Sequence, residues 1–290
     1  MEKQKNFMNT NLNTRSKIRK NLSTVITYII AILIAFVYAF PIVWLIASSF
    51  SSSGSIYSFD GFFPSSYSLN SYKTLFTDTQ LYNYPRWFFN TLFVAIISSI
   101  FGTISVILTA YVISTFRFKG RRTLMKGALI LGMFPSFMST TAIYMLMTQF
   151  GLTNNLWSLI LISVAGAPMG YLTQKGFFDS IPRSLYESAK IDGASNFQVF
   201  KKIALPMSGP MLIYTGLTSF MYPWSDYILP KLLLKEKDKW TVAVGLMSLG
   251  ETEFARFAAG SVFIAVPIII LYFILIRIMG HTRSIGAVND

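Results

Sequence analysis

Cysteine is absent from these 290 residues, and histidine occurs once, at His281. The first absence excludes disulfides and thiol chemistry. The second leaves no histidine cluster for a metal, so none is expected. Charge is scarce as well: 13% of residues are Asp, Glu, Lys or Arg, where a soluble domain carries about a quarter. No Gly-x-x-x-x-Gly-Lys-[Ser/Thr] phosphate loop occurs. Nor is there a nucleophile elbow or a histidine base in a polar cluster. Catalytic residues are therefore not expected, and nucleotide chemistry has no seat in the chain. A cleavable signal peptide is not expected either. The N-terminus is polar and basic, and the first apolar run is long enough to stay in a bilayer.

What remains is apolar. Hydrophobic residues make up 53% of the sequence, with a mean hydropathy of +0.51, and they come in long runs. That pattern reads as an all-α, polytopic membrane protein. A spanning helix needs ~20 mostly apolar residues. Six stretches qualify: Thr24–Ser49, Phe88–Ser114, Leu124–Gln149, Leu156–Leu172, Pro210–Leu229 and Phe257–Met279. The fourth is interrupted by Gly166, Pro168 and Gly170. Pro41, Pro135, Pro223 and Pro267 also fall inside spans, where neighbouring helices can satisfy freed backbone groups. The layout gives a basic tail (1–23), a six-helix domain (24–280) with a long loop at about 175–209, and a short tail (281–290).

Charge orients the layout. Of the 25 basic residues, 18 lie in the two tails and in the loops after spans two and four, with five of the 12 acids. The opposite side holds seven bases and seven acids, so the whole net charge of +13 sits on one side. Both termini are then expected in the cytoplasm. The basic excess needs no nucleic acid to explain it.

The loop after span four is amphipathic. Pro182 suits a first helical turn. Ser184 with Glu187, and Ser195 with Gln198, have capping-box spacing. Gly193 lies between the two pieces and permits a backbone turn closed to most residues, and Pro206 is expected to end the second piece. The spacing predicts helix, sharp turn, helix. Leu185 and Ala189 share one face of the first helix; Phe197, Phe200 and Ile203 can share a face of the second. Such a loop could lie on the membrane surface. The small pair Ser188-Ala189, the glycine and the terminal Ile-x-Leu-Pro exceed what surface binding requires, and they favour docking on a partner.

With these residues the chain resembles the inner-membrane permeases of carbohydrate ABC importers, especially the MalG-type subunit of maltose/maltodextrin systems. The likeness covers nearly the whole chain. It includes Phe118-Lys-Gly-Arg-Arg122, Ala189-Lys-Ile-Asp-Gly-Ala194, Pro223-Trp-Ser-Asp-Tyr227 and Thr241-Val-Ala-Val-Gly-Leu246. It implies a bacterial cytoplasmic-membrane subunit in which Glu187, Ser188, Ala189, Asp192, Gly193, Ile203, Leu205 and Pro206 couple to an ATPase. This is the EAA motif, with Ser188 where alanine is commoner. The implied partners are a second permease, two ATPases that bind ATP and magnesium, an extracytoplasmic sugar-binding protein and membrane lipid. The chain itself is expected to bind no cofactor. Its end, Gly286-Ala-Val-Asn-Asp290, departs from the common Gly-Ala-Val-Lys-Gly.

Two further regions are candidates. Tyr222, Trp224, Asp226 and Tyr227, near Phe220 at the end of span five, suit sugar stacking and hydroxyl bonding. They also suit an interfacial aromatic belt, with Asp226 among headgroups or paired to Lys231. Gly250, Glu251, Glu253 and Phe254 match in position a loop that reaches into the binding protein of maltose systems; a solvated charged turn is the alternative. Ser51–Tyr57 reads as a flexible connection. A secondary transporter or a non-transporting scaffold are the rival readings.

Overall fold

The computed structural model describes residues 2–58, 61–79 and 82–286. Among them no strand forms beyond a single bridge, Ser51 with Tyr67. The rest is helix and connection. Helix α1 (Glu2–Ser49) continues the basic tail straight into the first apolar run. Short α2 (Asn70–Thr77) leads to α3 (Tyr84–Thr115), the longest uninterrupted apolar helix to carry a large buried face. Then follow α4 (Arg121–Gly132), α5 (Ser136–Gln149), α6 (Leu156–Gly166) and α7 (Tyr171–Ser180). The amphipathic loop forms α8 (Arg183–Ile191), α9 (Asn196–Val199) and the short α10 (Leu205–Met207). The chain closes with α11 (Gly209–Ser225), α12 (Ile228–Leu233), α13 (Val242–Met247) and α14 (Phe254–Gly286).

Four segments among the described residues are long and apolar enough to cross a membrane: Ser23–Ser49, Tyr84–Thr115, Leu156–Ser180 and Glu251–Ile278. Two expected spans take a different form. Pro135 is extended and has no N–H to continue the helical ladder, so the third span is split into α4 and α5. The fifth stops at Ser225 because Asp226 turns to extended backbone, and α12 starts again beyond it. The fourth is longer than expected. Its Gly/Pro interruption tightens into a 3₁₀ turn at Ala167–Gly170 and helix resumes through Ser180.

Helix α3 is the axis of the bundle, packed against α6, α7 and α11. Ala95, Ser98, Gly102, Val106 and Ala110 recur along it every three or four residues and are buried. Small side chains there let backbones approach, as membrane helices require. A methyl on Gly102 would lie 3.5 Å from the Ala167 side chain. Two aromatic clusters clamp the ends. Near the start of α3, Tyr84 and Trp87 pack with Phe220, Trp224, Val242 and Leu246. At its end, Tyr111 packs with Tyr171, Phe178, Ile181 and Ala204. The 236–241 loop is tied down there: Trp87 Nε1 donates to Lys237 O at 2.9 Å, and Asn90 Nδ2 to Asp238 O at 2.8 Å.

Candidate functional site

The loop from Arg183 to Met207 folds into an elbow. Helix α8 starts after Pro182, so Ser184 falls inside the helix. Its carbonyl accepts the Ser188 hydroxyl at 2.6 Å, and the expected Ser184–Glu187 box does not form. The second box does form: the Ser195 hydroxyl accepts the Gln198 N–H at 3.2 Å, and Gln198 Oε1 accepts the Ser195 N–H at 2.7 Å. Gly193 turns the chain between them at φ +81°, and a side chain there would be strained.

Beyond α9 the chain widens into a π-turn, Phe200–Ala204, where the Leu205 N–H bonds five residues back to Phe200 O. This changes the expected register. Phe200 swings onto Tyr111, ring centroids 4.8 Å apart, while Phe197 stays 68% exposed. Pro206 does not stop the helix. It occupies an early position of α10, where its missing N–H costs nothing, and the break comes at Ser208.

The elbow is fastened at its base and bare at its tip. Val199 and Ala204 are buried, and Tyr111 contacts Phe178, Tyr186 and Phe200 together. Burial pushes the Tyr186 hydroxyl up to about 12, so it stays protonated at any working pH. Ser114 Oγ donates to Asp179 at 2.6 Å, and Lys175 also pairs with Asp179, joining α3 to α7. Glu187, Ser188, Asp192, Gly193 and Pro206 are exposed; Ala189, Ile203 and Leu205 are half-buried. Ile191 is 86% exposed. Bare Ile191 and Phe197 flanking a polar turn form a surface suited to a groove.

A cavity of about 530 Å³ opens among α3, α6, α7, α11 and α12. Hydroxyls and one amide dominate its polar wall, together with Tyr222 and Asp226. Tyr222 and Asp226 both line the cavity, one helical turn apart at the end of α11. Trp224 and Tyr227 are not in that wall. Trp224 is in the aromatic core, 5.1 Å from Phe88. Lys231 lies over the Trp240 ring at 4.5 Å, not on Asp226.

At the far end from the elbow, Gly250 turns at φ +71° and Glu251 accepts from the Tyr57 hydroxyl, which raises that phenol above its usual range. Glu253 pairs with Arg256 at 2.8 Å and accepts from Tyr82 at 3.4 Å. Phe254 stacks on Phe257 and meets Trp44. The expected flexible stretch Ser51–Tyr57 is braced. Ser51 is buried, and Gly54 O accepts the Ala255 N–H at 3.1 Å.

Residues 107–283, from mid-α3 through the elbow into α14, match the family described as binding-protein-dependent transport system inner membrane component. The chain belongs to this family. The permease is 39% identical over 211 residues to the maltodextrin transport system permease protein MalD of Streptococcus pneumoniae, covering 71% of this chain and 74% of that one. It is 34% identical over 240 residues to the galactooligosaccharides transport system permease protein GanQ of Bacillus subtilis, covering 81% and 84%. Its fold matches a solved bacterial ABC transporter involved in alginate import, at a TM-score of 0.73 and 21% identity, covering 89% of this chain and 96% of that one. Sequence reasoning pointed to the elbow but missed its anchor, Tyr111 with Phe178 and Tyr186, and of the cavity wall it named only Tyr222 and Asp226. Ala/Ser/Gly spacing along α3 signals close helix packing there, and the aromatic anchor had no comparable signal. Residues Ala287–Asp290 of the unusual tail lie outside the described residues.

Proposed function

We propose that this permease is one of two membrane subunits of an ABC importer for an oligosaccharide, with maltodextrin the best candidate. Membership of the family and the sugar permeases among its relatives support the sugar class. The relatives name several sugars, and maltodextrin is favoured by the 39% and 37% identities to two such permeases. Counting α4–α5 and α11–α12 as crossings gives six spans with both termini on one side, and the basic excess on that side supports a cytoplasmic elbow and an outer Gly250–Phe254 loop. A second permease completes the pathway, two partner ATPases bind and hydrolyse ATP, and a sugar-binding protein feeds the outer mouth through Gly250, Glu251, Glu253 and Phe254.

The observation that carries this reading is an exposed elbow, turned at Gly193, on a base buried against α3 and α7. The tip Glu187, Ser188, Ala189, Asp192 and Gly193 fits an ATPase cleft; Ile203, Leu205 and Pro206 pass its motion to the bundle. Closure of the ATPases moves the elbow, and the helices packed on Tyr111 move with it. Differential contact with the open and closed ATPase pair is what biases the two states. Tyr222 and Asp226 line the sugar path. A secondary transporter would instead transport without ATP and needs buried ionisable groups for ion coupling. Reconstituting the purified assembly in vesicles tests this. Sugar uptake should require ATP and the binding protein. Uptake driven by an ion gradient alone would overturn the reading.

A further inference from the structure

Five basic side chains line a second cavity, of about 570 Å³, at the foot of the elbow. They come from separate elements: Arg117 after α3, Arg121 at the start of α4, Lys175 on α7, and Arg183 and Lys190 on α8. Two carboxylates, Asp179 and Glu187, share the wall. Among the described residues only one of these acids is in an ion pair, Asp179 with Lys175. Lys190 donates to the Asn196 side-chain oxygen, and Arg121 Nε donates to Ile113 O at 2.6 Å. Those partners are neutral and leave both charges uncancelled. Arg117 and Arg183 are exposed and join no ion pair among the described residues.

An excess of bases on one side of a membrane protein is ordinary. Its gathering around one cavity is not required by that rule. Like charges held together repel, so a wall with this surplus is stabilised by an anion. Helices α4 and α8 both begin here, at Arg121 and Arg183, and neither has a side-chain cap or an acid in its first turn. Their free N–H groups and positive dipole ends add to the same field. The membrane-crossing segments Tyr84–Thr115 and Leu156–Ser180 both end at this cavity, and Ser114, Thr115, Phe178 and Asp179 form part of its wall. The site therefore sits at headgroup depth, where phosphates are the prevailing anions. Arginine matches a phosphate through two parallel N–H bonds, and basic pockets between membrane helices hold lipid phosphates in this way.

We propose that Arg117, Arg121, Arg183 and Lys190 form a binding site for a phosphate-bearing anion, carried either by an anionic lipid headgroup or by a free phosphate compound. The site lies beside the elbow and goes beyond the import reading; only its assignment to the inner leaflet rests on the cytoplasmic placement above. A phosphate held there bridges α8 to the connection between α3 and α4, and braces the base of the elbow.

The test uses the complete assembly in nanodiscs and reads acylation of Lys190 by peptide mass spectrometry. Nanodiscs expose both faces to reagent, so the result does not depend on which face is cytoplasmic. Lys119, exposed and outside the cavity wall, is the internal control. Three conditions are compared: phosphatidylcholine alone, phosphatidylcholine with phosphatidylglycerol, and phosphatidylcholine with inorganic phosphate in solution. Lys190 acylation should slow about fivefold or more in at least one of the last two. Slowing with phosphatidylglycerol identifies a lipid headgroup; slowing with inorganic phosphate identifies a free phosphate compound. The double variant Arg117→Gln/Arg183→Gln changes two exposed side chains and should lose most of that protection. The wild-type comparison stands whether or not the variant assembles. Equal Lys190 labelling in all three conditions would overturn the site. So would equal slowing at Lys119, which marks a general surface field, and so would protection that persists in the double variant. Shielding of Lys190 in phosphatidylcholine alone, relieved when the ATPases are removed, would overturn it too, by giving the cavity to the partner.

Discussion

Gly193 is the residue on which the elbow turns. At φ +81° a β-branched side chain meets its own backbone, a strain of roughly 1–2 kcal/mol. Gly193→Val should therefore reorient the tip and abolish most ATP-driven uptake, with the variant still present in the membrane. Gly193→Asn should retain more, because asparagine tolerates left-handed backbone. Uptake assays on both, against immunoblotted chain, decide it; equal, normal uptake would remove the elbow from the mechanism. Gly193, Ser195 and Gln198 were legible in the sequence because their physics is local. A left-handed turn and a capping box each involve residues a few positions apart. Ser184 was misleading for the same reason: Pro182 starts helix α8 ahead of it, so the candidate cap lies already inside the helix.

Elements were legible where apolar length alone specifies them. Helices α1, α3 and α14 are long, apolar and uninterrupted by extended residues. The breaks were not legible in full, since proline acts differently by context. Pro41, Pro223 and Pro267 sit inside helices, whereas Pro135 divides α4 from α5. The π-turn also escaped sequence reading, because nothing in Phe200–Ala204 departs from ordinary helical composition. It rotates Phe200 inward and leaves Phe197 out. Two predictions belong at this scale. Helix α13 passes so close to α3 that a methyl on Gly245 would fall 1.9 Å from the Trp87 ring. Gly245→Ala should overpack the contact and destabilise the purified protein by about 1–3 kcal/mol, read as a lowered melting temperature. Ser195→Ala removes the formed cap and should cost about 1 kcal/mol of local helix stability. Faster hydrogen exchange confined to α9 would report it; uniform exchange change across the bundle would not fit.

For the whole molecule, composition and charge asymmetry were enough to indicate a multi-pass helical protein. Of the cavity only Tyr222 and Asp226 were singled out, because its other lining residues are distant in sequence and share one wall only when α3, α6, α7 and α11 pack. Nor does any stretch of sequence show that the elbow's base is tied into α3 by Tyr111 and into α7 by Phe178. That fastening makes the elbow a rigid extension of the bundle. The chain's freedom from cysteine makes its docking directly measurable. A single Ile191→Cys variant, in membranes holding the complete assembly, should cross-link through a short bifunctional thiol reagent to an ATPase subunit. It should also resist membrane-impermeant thiol labels added outside. Labelling from outside, or an absent ATPase cross-link in assembled complex, would contradict the account.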